Sequence, residues 1–194
     1  MSEDISSRVR LREMQVLAAK HYTLRRATFD YQRRDGTWQE NIRESYDIGD
    51  GAVVLPWDAA RGKVLLIKQF RWPAFEWGYR ELPIEAPAGK LDHDDPEGCV
   101  TREAMEEAGV AIHDVKLVTH CFMSCGAVKE RLSLFLASYD STAPREKGGG
   151  HIEEGEDIES LEIGLDAALS MIATGEIVDA KTIILLQAAK LSAP

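Results

Sequence analysis

Residues 89–110 read GKLDHDDPEGCVTREAMEEAGV, and this segment predicts a helix with a carboxylate-rich face. A glycine-led acidic loop runs into a predicted helix that begins at Pro96 and ends at Gly109, because proline suits the first turn of a helix and glycine suits the residue after its last. Asp94 or Asp95 is expected to cap its start. Three apolar residues at i, i+4 and i+8 would anchor the helix on a core: Val100, Ala104 and Ala108.

The opposite face of this predicted helix is crowded with carboxylates. At about 100° per residue, Glu103 and Glu107 project about 40° apart, and Glu106 lies about 60° to the other side of Glu103. Like charges this close repel one another unless a cation lies among them. Mg²⁺ binds oxygen ligands of this kind, usually together with substrate phosphates. The face therefore indicates a metal site for phosphate chemistry, and the alternative is a solvated face with ordinary ion pairs.

The whole segment resembles the Nudix box, in which a glycine and an acidic loop precede Arg-Glu, two residues, Glu-Glu, one residue, and Gly followed by an aliphatic residue. The chain matches this pattern at Arg102, Glu103, Glu106, Glu107, Gly109 and Val110, with Pro-Ala-Gly at 87–89 as the usual approach. The loop before Arg102 departs from the pattern, because it is one residue short and offers Asp94 or Asp95 in place of the glutamate that braces the arginine.

The resemblance implies a Nudix hydrolase and assigns roles within the box. Glu103, Glu107 and the backbone carbonyl of Ala88 are expected to bind Mg²⁺, with Mn²⁺ as a substitute, and Glu106 is a secondary candidate for the catalytic machinery. The base is expected on a loop that can close over the site. By analogy with Nudix enzymes that act on nucleoside diphosphate sugars, Glu156 is predicted to be a metal ligand or the base.

Composition limits the partners of the chain. It has 194 residues and a formal net charge of −10, which argues against binding to nucleic acid or to anionic membranes, since both depend on clustered Lys and Arg. No apolar run approaches the ~18 residues of a membrane span, and the first residues lack a signal-peptide core. We therefore expect a cytoplasmic protein without nucleic-acid or membrane partners.

The remaining segments predict a mixed α/β fold in two parts. An N-terminal module, residues 1–48, reads as antiparallel strands with an Asp-Gly turn, and it has too little core to stand alone. The second part, residues 49–194, is expected to be an α/β (α+β) domain, a Nudix-type α/β/α sandwich. Its strands are predicted at 52–57, 63–70, 115–121, 132–139 and 161–163, and its later helices at 165–174 and 180–191.

Two further segments read as loops. Residues 71–82 are rich in aromatic side chains, which would form either a lid or interface or ordinary local packing. Residues 140–157 contain three consecutive glycines and an acidic run, which is typical of a mobile loop. Four carboxylates of this second loop are candidates for the site, unless they are simply solvated: Glu153, Glu154, Glu156 and Asp157.

The resemblance extends from about residue 20 to 190 and is closest to the GDP-mannose branch of the ADP-ribose and sugar-nucleotide pyrophosphatases. It is carried by IRESYD at 42–47, KQFR at 68–71, Met-Ser-x-Gly at 123–126, the triple glycine with EDIE at 156–159, and TGEIVDAKT at 174–182. That branch implies a homodimer whose N-terminal strands cross to the partner and frame the nucleotide.

On that resemblance, six residues outside the box would bind the substrate. Arg43 and Arg71 would hold phosphates, a task that suits the bidentate guanidinium group. Tyr22 would stack on or border the base, and Glu44 would accept hydrogen bonds from the base N–H groups. Glu130 and Lys181 would contact the sugar side.

The expected function is a Mg²⁺-dependent pyrophosphohydrolase that converts GDP-mannose to GMP and mannose 1-phosphate. ADP-ribose is the alternative substrate, because the choice of base rests on a few contacts. A sugar-nucleotide sensor without turnover is the alternative from another class, but its usual mark would be the loss of the helix carboxylates. An RNA-processing role is disfavoured by the acidic balance of the chain.

Overall fold

The computed structural model describes residues 4–91 and 95–192. Within these ranges the secondary structure consists of eleven strands, four α-helices and two short 3-10 helices at Ser6–Arg8 and Ile152–Glu154. The strands are β1 (Val9–Ala19), β2 (Thr23–Gln32), β3 (Trp38–Asp47), β4 (Gly51–Asp58), β5 (Lys63–Lys68), β6 (Ile84–Glu85), β7 (Ala88–Lys90), β8 (His113–Cys121), β9 (Val128–Lys129), β10 (Leu132–Ser138) and β11 (Glu159–Gly164). The helices are α1 (Trp72–Trp77), α2 (Pro96–Ala108), α3 (Leu165–Thr174) and α4 (Ala180–Ser192).

The chain divides into two compact units, and the first comprises residues up to 49 together with 124–130. Its sheet has the order β1-β2-β3-β9, with β1, β2 and β3 antiparallel and β9 parallel to β3. The turn between β2 and β3 contains Gly36 at φ 83°, a left-handed conformation that glycine adopts without strain. The predicted antiparallel strands are confirmed, while the addition of β9 to this sheet was not predicted.

The second unit comprises residues 50–123 and 131–194. Its main sheet has the order β11-β5-β4-β10-β8, and β6 and β7 pair with β5 and β4. The central strands β4 and β10 run parallel, and the other pairs are antiparallel.

Both faces of this sheet are covered, because successive strand residues point to opposite sides. On one side, Val53 and Leu55 of β4 belong to a core cluster that includes residues of α3 and α4. On the other side, Ala52 and Val54 belong to a second cluster that includes Val100 and other residues of α2. The predicted α/β/α sandwich is therefore confirmed for this unit.

Most of the predicted element boundaries agree with the structure within a few residues, and one does not. The prediction of a loop at residues 71–82 is wrong, because Trp72–Trp77 forms helix α1. Pro73 lies in the first turn of α1, and Gly78 ends the helix in a left-handed conformation at φ 114°. No helix in the described ranges has the length and apolar character needed to cross a bilayer.

Candidate active site

Helix α2 is fixed at both ends and along its back. Asp95 accepts hydrogen bonds from the backbone N–H groups of Glu97 (3.0 Å) and Gly98 (2.8 Å), so it caps two donors that the helix leaves unpaired. Gly109 ends the helix at φ 69°. The predicted apolar face is buried, and the predicted alternative cap, Asp94, lies outside the described residues. With its back and ends fixed, α2 presents its carboxylates from a rigid support.

Glu107 is the most deeply buried of these carboxylates, with 2 % of its surface exposed. Its Oε2 accepts a 3.0 Å hydrogen bond from the backbone N–H of Ala88, at the start of β7. Burial, with the nearby charges of Glu103 and Glu156, raises the pKa of Glu107 to about 8 even though the Ala88 hydrogen bond acts against this. A buried carboxyl with one backbone donor and two acidic neighbours is a group that a cation would stabilise.

Glu103 lies one turn earlier and reaches across the glycine that opens the box. A Cβ atom at Gly89 would overlap the Glu103 carboxylate, so the close approach depends on the missing side chain. Arg102 pairs with Glu103 at 2.9 Å, yet burial still raises the pKa of Glu103, and the charges of Glu106 and Glu156 act in the same direction. Glu103 and Glu107 therefore converge on the backbone of residues 88–89.

Glu106 occupies the outer side of the same face. Its Oε2 lies 2.6 Å from Nη1 of Arg102 and 3.4 Å from Nε2 of His151. Arg102 thus bridges Glu103 and Glu106 and neutralises part of their charge. Both of these carboxylates lie on the same helix as Arg102. Asp95, one of the two acids expected to brace Arg102, caps the helix, and the other, Asp94, lies outside the described residues.

The segment after β10 docks onto the C-terminal end of α2. The backbone N–H groups of Gly149 and Gly150 donate to the carbonyl oxygens of Glu107 and Glu106, each at 3.0 Å. These bonds pair carbonyl groups that the end of a helix leaves free. A Cβ atom at Gly148 would lie 2.5 Å from the Glu107 carbonyl oxygen, so only glycine fits there. Composition predicted a mobile loop, whereas the structure shows the glycines held by backbone hydrogen bonds.

Docking of this segment brings Glu156 towards the carboxylates of α2. Oε2 of Glu156 accepts a 2.8 Å hydrogen bond from the backbone N–H of His151, and Glu156 acts electrostatically on both Glu103 and Glu107. Two other candidates of the segment, Glu153 and Asp157, are exposed to solvent, whereas Glu156 is half-buried. The Glu154 side chain lies outside the described part of the structure.

A buried ion-pair cluster holds two of the predicted substrate-binding cations. Glu85 of β6 is 4 % exposed and bonds Arg71 through both oxygens, at 2.8 and 3.0 Å. Its Oε2 also accepts from Nζ of Lys181 at 2.6 Å, and Lys181 donates to Asp179 at 2.8 Å. Burial alone would raise the pKa of Glu85, but Arg71 and Lys181 lower it to about 2. Sequence reasoning found both cations and missed Glu85, although a single charge in the otherwise apolar run 82–88 was a usable signal.

The other predicted substrate-binding residues belong to the first unit. The Tyr22 ring meets the Tyr46 ring edge-on, with centroids 5.4 Å apart. Arg43 donates to the carbonyl of Ile42 at 2.8 Å, and Glu44 pairs with Arg26 at 2.6 Å. Glu130 is half-buried. Three of these four predicted substrate-binding residues lie in or next to one sheet. Arg43 and Glu44 belong to β3, and Tyr22 immediately precedes β2.

The second unit has the donor set that a hard divalent cation takes. Among the described residues, no three His, Cys, Asp or Glu side chains already converge as a metal-binding group. Two carboxylates from α2, a third from the docked segment and the Ala88 carbonyl are all oxygen donors, which Mg²⁺ and similar ions favour. Burial is the main cause of the raised pKa values of Glu103 and Glu107, and neighbouring carboxylates add to it. A bound cation would favour the charged form of both groups.

Comparison with known proteins identifies the family of the chain. The NUDIX domain model matches residues 48–163, and the model of the GDP-mannose pyrophosphatase NudK N-terminal domain matches residues 8–46. The chain belongs to the Nudix family and is a hydrolase. Hydrolases of this family generally need a divalent metal ion.

Relatives within the family are similar over nearly their whole length. A GDP-mannose pyrophosphatase of Pectobacterium atrosepticum is 41% identical over 94% of this chain and 94% of its own. One from Escherichia coli is 39% identical over 97% of this chain and 98% of its own. A solved structure described as an ADP compounds hydrolase has the same fold, with a TM-score of 0.71 and 13% identity over 98% of this chain and 96% of that one.

Proposed function

We propose that this chain is a Mg²⁺-dependent pyrophosphohydrolase that cleaves GDP-mannose to GMP and mannose 1-phosphate. The observation that carries the proposal is the approach of Glu103 and Glu107 to the backbone of residues 88–89, with Glu156 acting electrostatically on both. Two cations, Arg71 and Lys181, pair with the buried Glu85 in the same unit. The similarity to GDP-mannose pyrophosphatases over nearly the full length supports the substrate.

The side chains divide the work between metal and substrate. Glu103, Glu107 and the Ala88 carbonyl would hold the ion, which would draw charge from the diphosphate and lower the pKa of a bound water. Glu156 would complete the ligand set or take the proton of the attacking water. Glu106 would assist catalysis by holding Arg102, which pairs with the metal ligand Glu103. Arg71 would neutralise non-bridging phosphate oxygens and Lys181 would face the sugar.

The first unit would contribute base recognition in a homodimer. Four residues of β1 lie opposite alternate residues of β2, so all eight side chains share one face of the sheet. The pairs are Val9 with Tyr31, Leu11 with Phe29, Met14 with Ala27, and Val16 with Arg25. The four β1 residues are 40–61 % exposed, on an edge strand of 11 residues. An exposed apolar face on a long edge strand needs covering, and a second copy would cover it. Tyr22, Arg43, Glu44 and Glu130 would then frame the nucleotide at the partner's site.

ADP-ribose is the second candidate substrate, because a fold neighbour is described as a hydrolase of ADP compounds. A sensor without turnover is disfavoured, since all three α2 glutamates are present. The proposed location is the cytoplasm.

A panel of nucleotides tests the substrate. Turnover with Mg²⁺ should be measured by phosphate release after phosphatase coupling on GDP-mannose, GDP-glucose, ADP-ribose and UDP-glucose. The highest kcat/KM on GDP-mannose supports the proposal. A higher value on ADP-ribose would retain the chemistry and overturn the substrate, while tight binding without turnover would favour the sensor.

A further inference from the structure

The carboxylate of Glu85 makes three hydrogen bonds to two cations from distant parts of the chain. Arg71 follows β5 and meets Glu85 side-on through Nε and Nη2. Lys181 lies in the first turn of α4, 96 residues after Glu85 in the sequence, and donates to the same carboxylate. One buried side chain therefore fixes the positions of two cations relative to each other.

Both cations keep donors for another group. Arg71 uses Nε and Nη2 for Glu85, and its Nη1 has no hydrogen-bond partner among the described residues. The Arg71 side chain is 42% exposed, so this free edge can reach a ligand. Lys181 spends two of its three N–H donors on Glu85 and Asp179. Arg71 is thus held from one side and open on another, while Lys181 keeps one N–H donor and 13% of its side chain exposed.

The cluster is also tied to the backbone that leads into the carboxylate site. Asp179 accepts from the hydroxyl of Thr182 at 2.7 Å, and that hydroxyl accepts a 2.7 Å hydrogen bond from the backbone N–H of Ala86. Thr182 is fully buried. Residues 85 and 86 are therefore held from α4, two residues before the Ala88 carbonyl.

We propose that Glu85 is a positioning residue that sets the spacing of Arg71 and Lys181 for the diphosphate and sugar parts of one substrate. This inference rests on the proposed function, since it takes a nucleoside diphosphate sugar as the ligand. Without the Glu85 charge, Arg71 would lose its bidentate partner and Lys181 would be held by Asp179 alone, so their spacing would no longer be fixed. Binding of the substrate would weaken more than the chemical step.

The test compares Glu85→Gln with a buried carboxylate that holds an arginine elsewhere. Asp58 is 5 % exposed and pairs with Arg61 at 3.0 Å. Asp58 is also distant from Ala88 of the proposed metal site. Ala88 pairs with Val53 of β4, and Asp58 lies five residues further along that strand, a distance of roughly 17 Å. Glu85→Gln should raise KM for GDP-mannose at least tenfold and change kcat less than threefold, whereas Asp58→Asn should leave both within twofold. Thermal unfolding of both variants separates lost stability from lost positioning.

A second readout asks whether Glu85 acts through Lys181. The loss in kcat/KM from Glu85→Gln should be at least threefold smaller in a Lys181→Met background, because interacting residues give non-additive effects. Additive losses, or an unchanged KM in Glu85→Gln, would overturn the positioning role. If Glu85→Gln does not fold, Glu85→Asp carries the test, since the shorter carboxylate cannot reach both cations and KM should still rise. A wild-type protein inactive on every nucleotide sugar would instead overturn the proposed function, and this role with it.

Discussion

The backbone N–H of Ala88 donates a 3.0 Å hydrogen bond to Oε2 of Glu107. This bond joins β7, which carries the predicted carbonyl ligand, to α2, which carries the predicted carboxylate ligands. It also satisfies one oxygen of a carboxylate that is otherwise shielded from water. In the proposed site the second oxygen would bind the cation, so the helix and the strand would form one support for it.

Glu107→Gln should abolish turnover and preserve the fold. The amide keeps the size of the side chain but removes the charge that would hold the ion. The loss in kcat should exceed about 100-fold, more than is typical for a residue that only orients a metal ligand. Glu97→Gln, on the exposed first turn of the same helix, is the matched control and should stay near wild type. Substantial Mg²⁺-dependent activity in Glu107→Gln would contradict the ligand assignment.

Stability of the metal-free protein should fall as pH rises from about 5 to 8. The pKa of Glu107 is about 8 in the folded protein, above the 4.5 of an ordinary glutamate, so ionisation favours the unfolded chain across that interval. Thermal unfolding at pH 5 and pH 8 measures the effect. Glu107→Gln should show a smaller fall, and Mg²⁺ should restore stability at pH 8. An equal fall in the variant would show that other groups cause it.

Gly89→Ala should lower activity with little loss of stability. The added methyl group would overlap the Glu103 carboxylate and displace it from the site. We expect at least a tenfold fall in kcat/KM and a higher Mg²⁺ requirement. Gly164→Ala is the control, because a Cβ there would lie 3.9 Å from the Gly62 carbonyl oxygen, an ordinary contact. Equal kinetics for the two variants would show that Glu103 need not lie over residue 89.

Glu156→Gln and Glu153→Gln should behave very differently. Both residues belong to the segment that docks on α2, but Glu156 faces the other carboxylates while Glu153 is exposed. Glu156→Gln should reduce kcat by about 100-fold or more, as expected for a lost base. Glu153→Gln should change it less than twofold. Comparable effects would assign the role to the segment as a whole.

Leu11→Glu and Val16→Glu should disrupt a dimer. The two side chains share one face of β1 and are 60 % and 61 % exposed. Light scattering after gel filtration should give about twice the 21.6 kDa chain mass for the wild type and a lower mass for the variants. Gln15→Glu, whose partner on β2 is Arg26 and which therefore lies on the other face, is the control. A monomeric wild type would overturn the proposed assembly.

The sequence predicted well those features that depend on residues close together along the chain. The cap at Asp95, the end of α2 at Gly109 and the shared face of Glu103 and Glu107 follow from helical geometry over a few turns. The Val-, Leu- and Ile-rich runs of β4 and β5 likewise predicted buried central strands, and their residues belong to core clusters on both sides of the sheet.

What the sequence did not predict depends on contacts between distant residues. Glu85 meets Lys181 across 96 positions, and no periodicity reports such a pair. The glycines at 149 and 150 suggested mobility, but their backbone N–H groups pair with the end of α2. Tertiary hydrogen bonds of this kind override local composition.

Metal-dependent cleavage of the diphosphate is tested most directly by identifying the products formed from GDP-mannose by ³¹P NMR, with and without Mg²⁺. We expect GMP and mannose 1-phosphate in equal amounts, formed only when the metal is present. Cleavage to GDP and mannose, or equal turnover in chelator, would contradict this expectation.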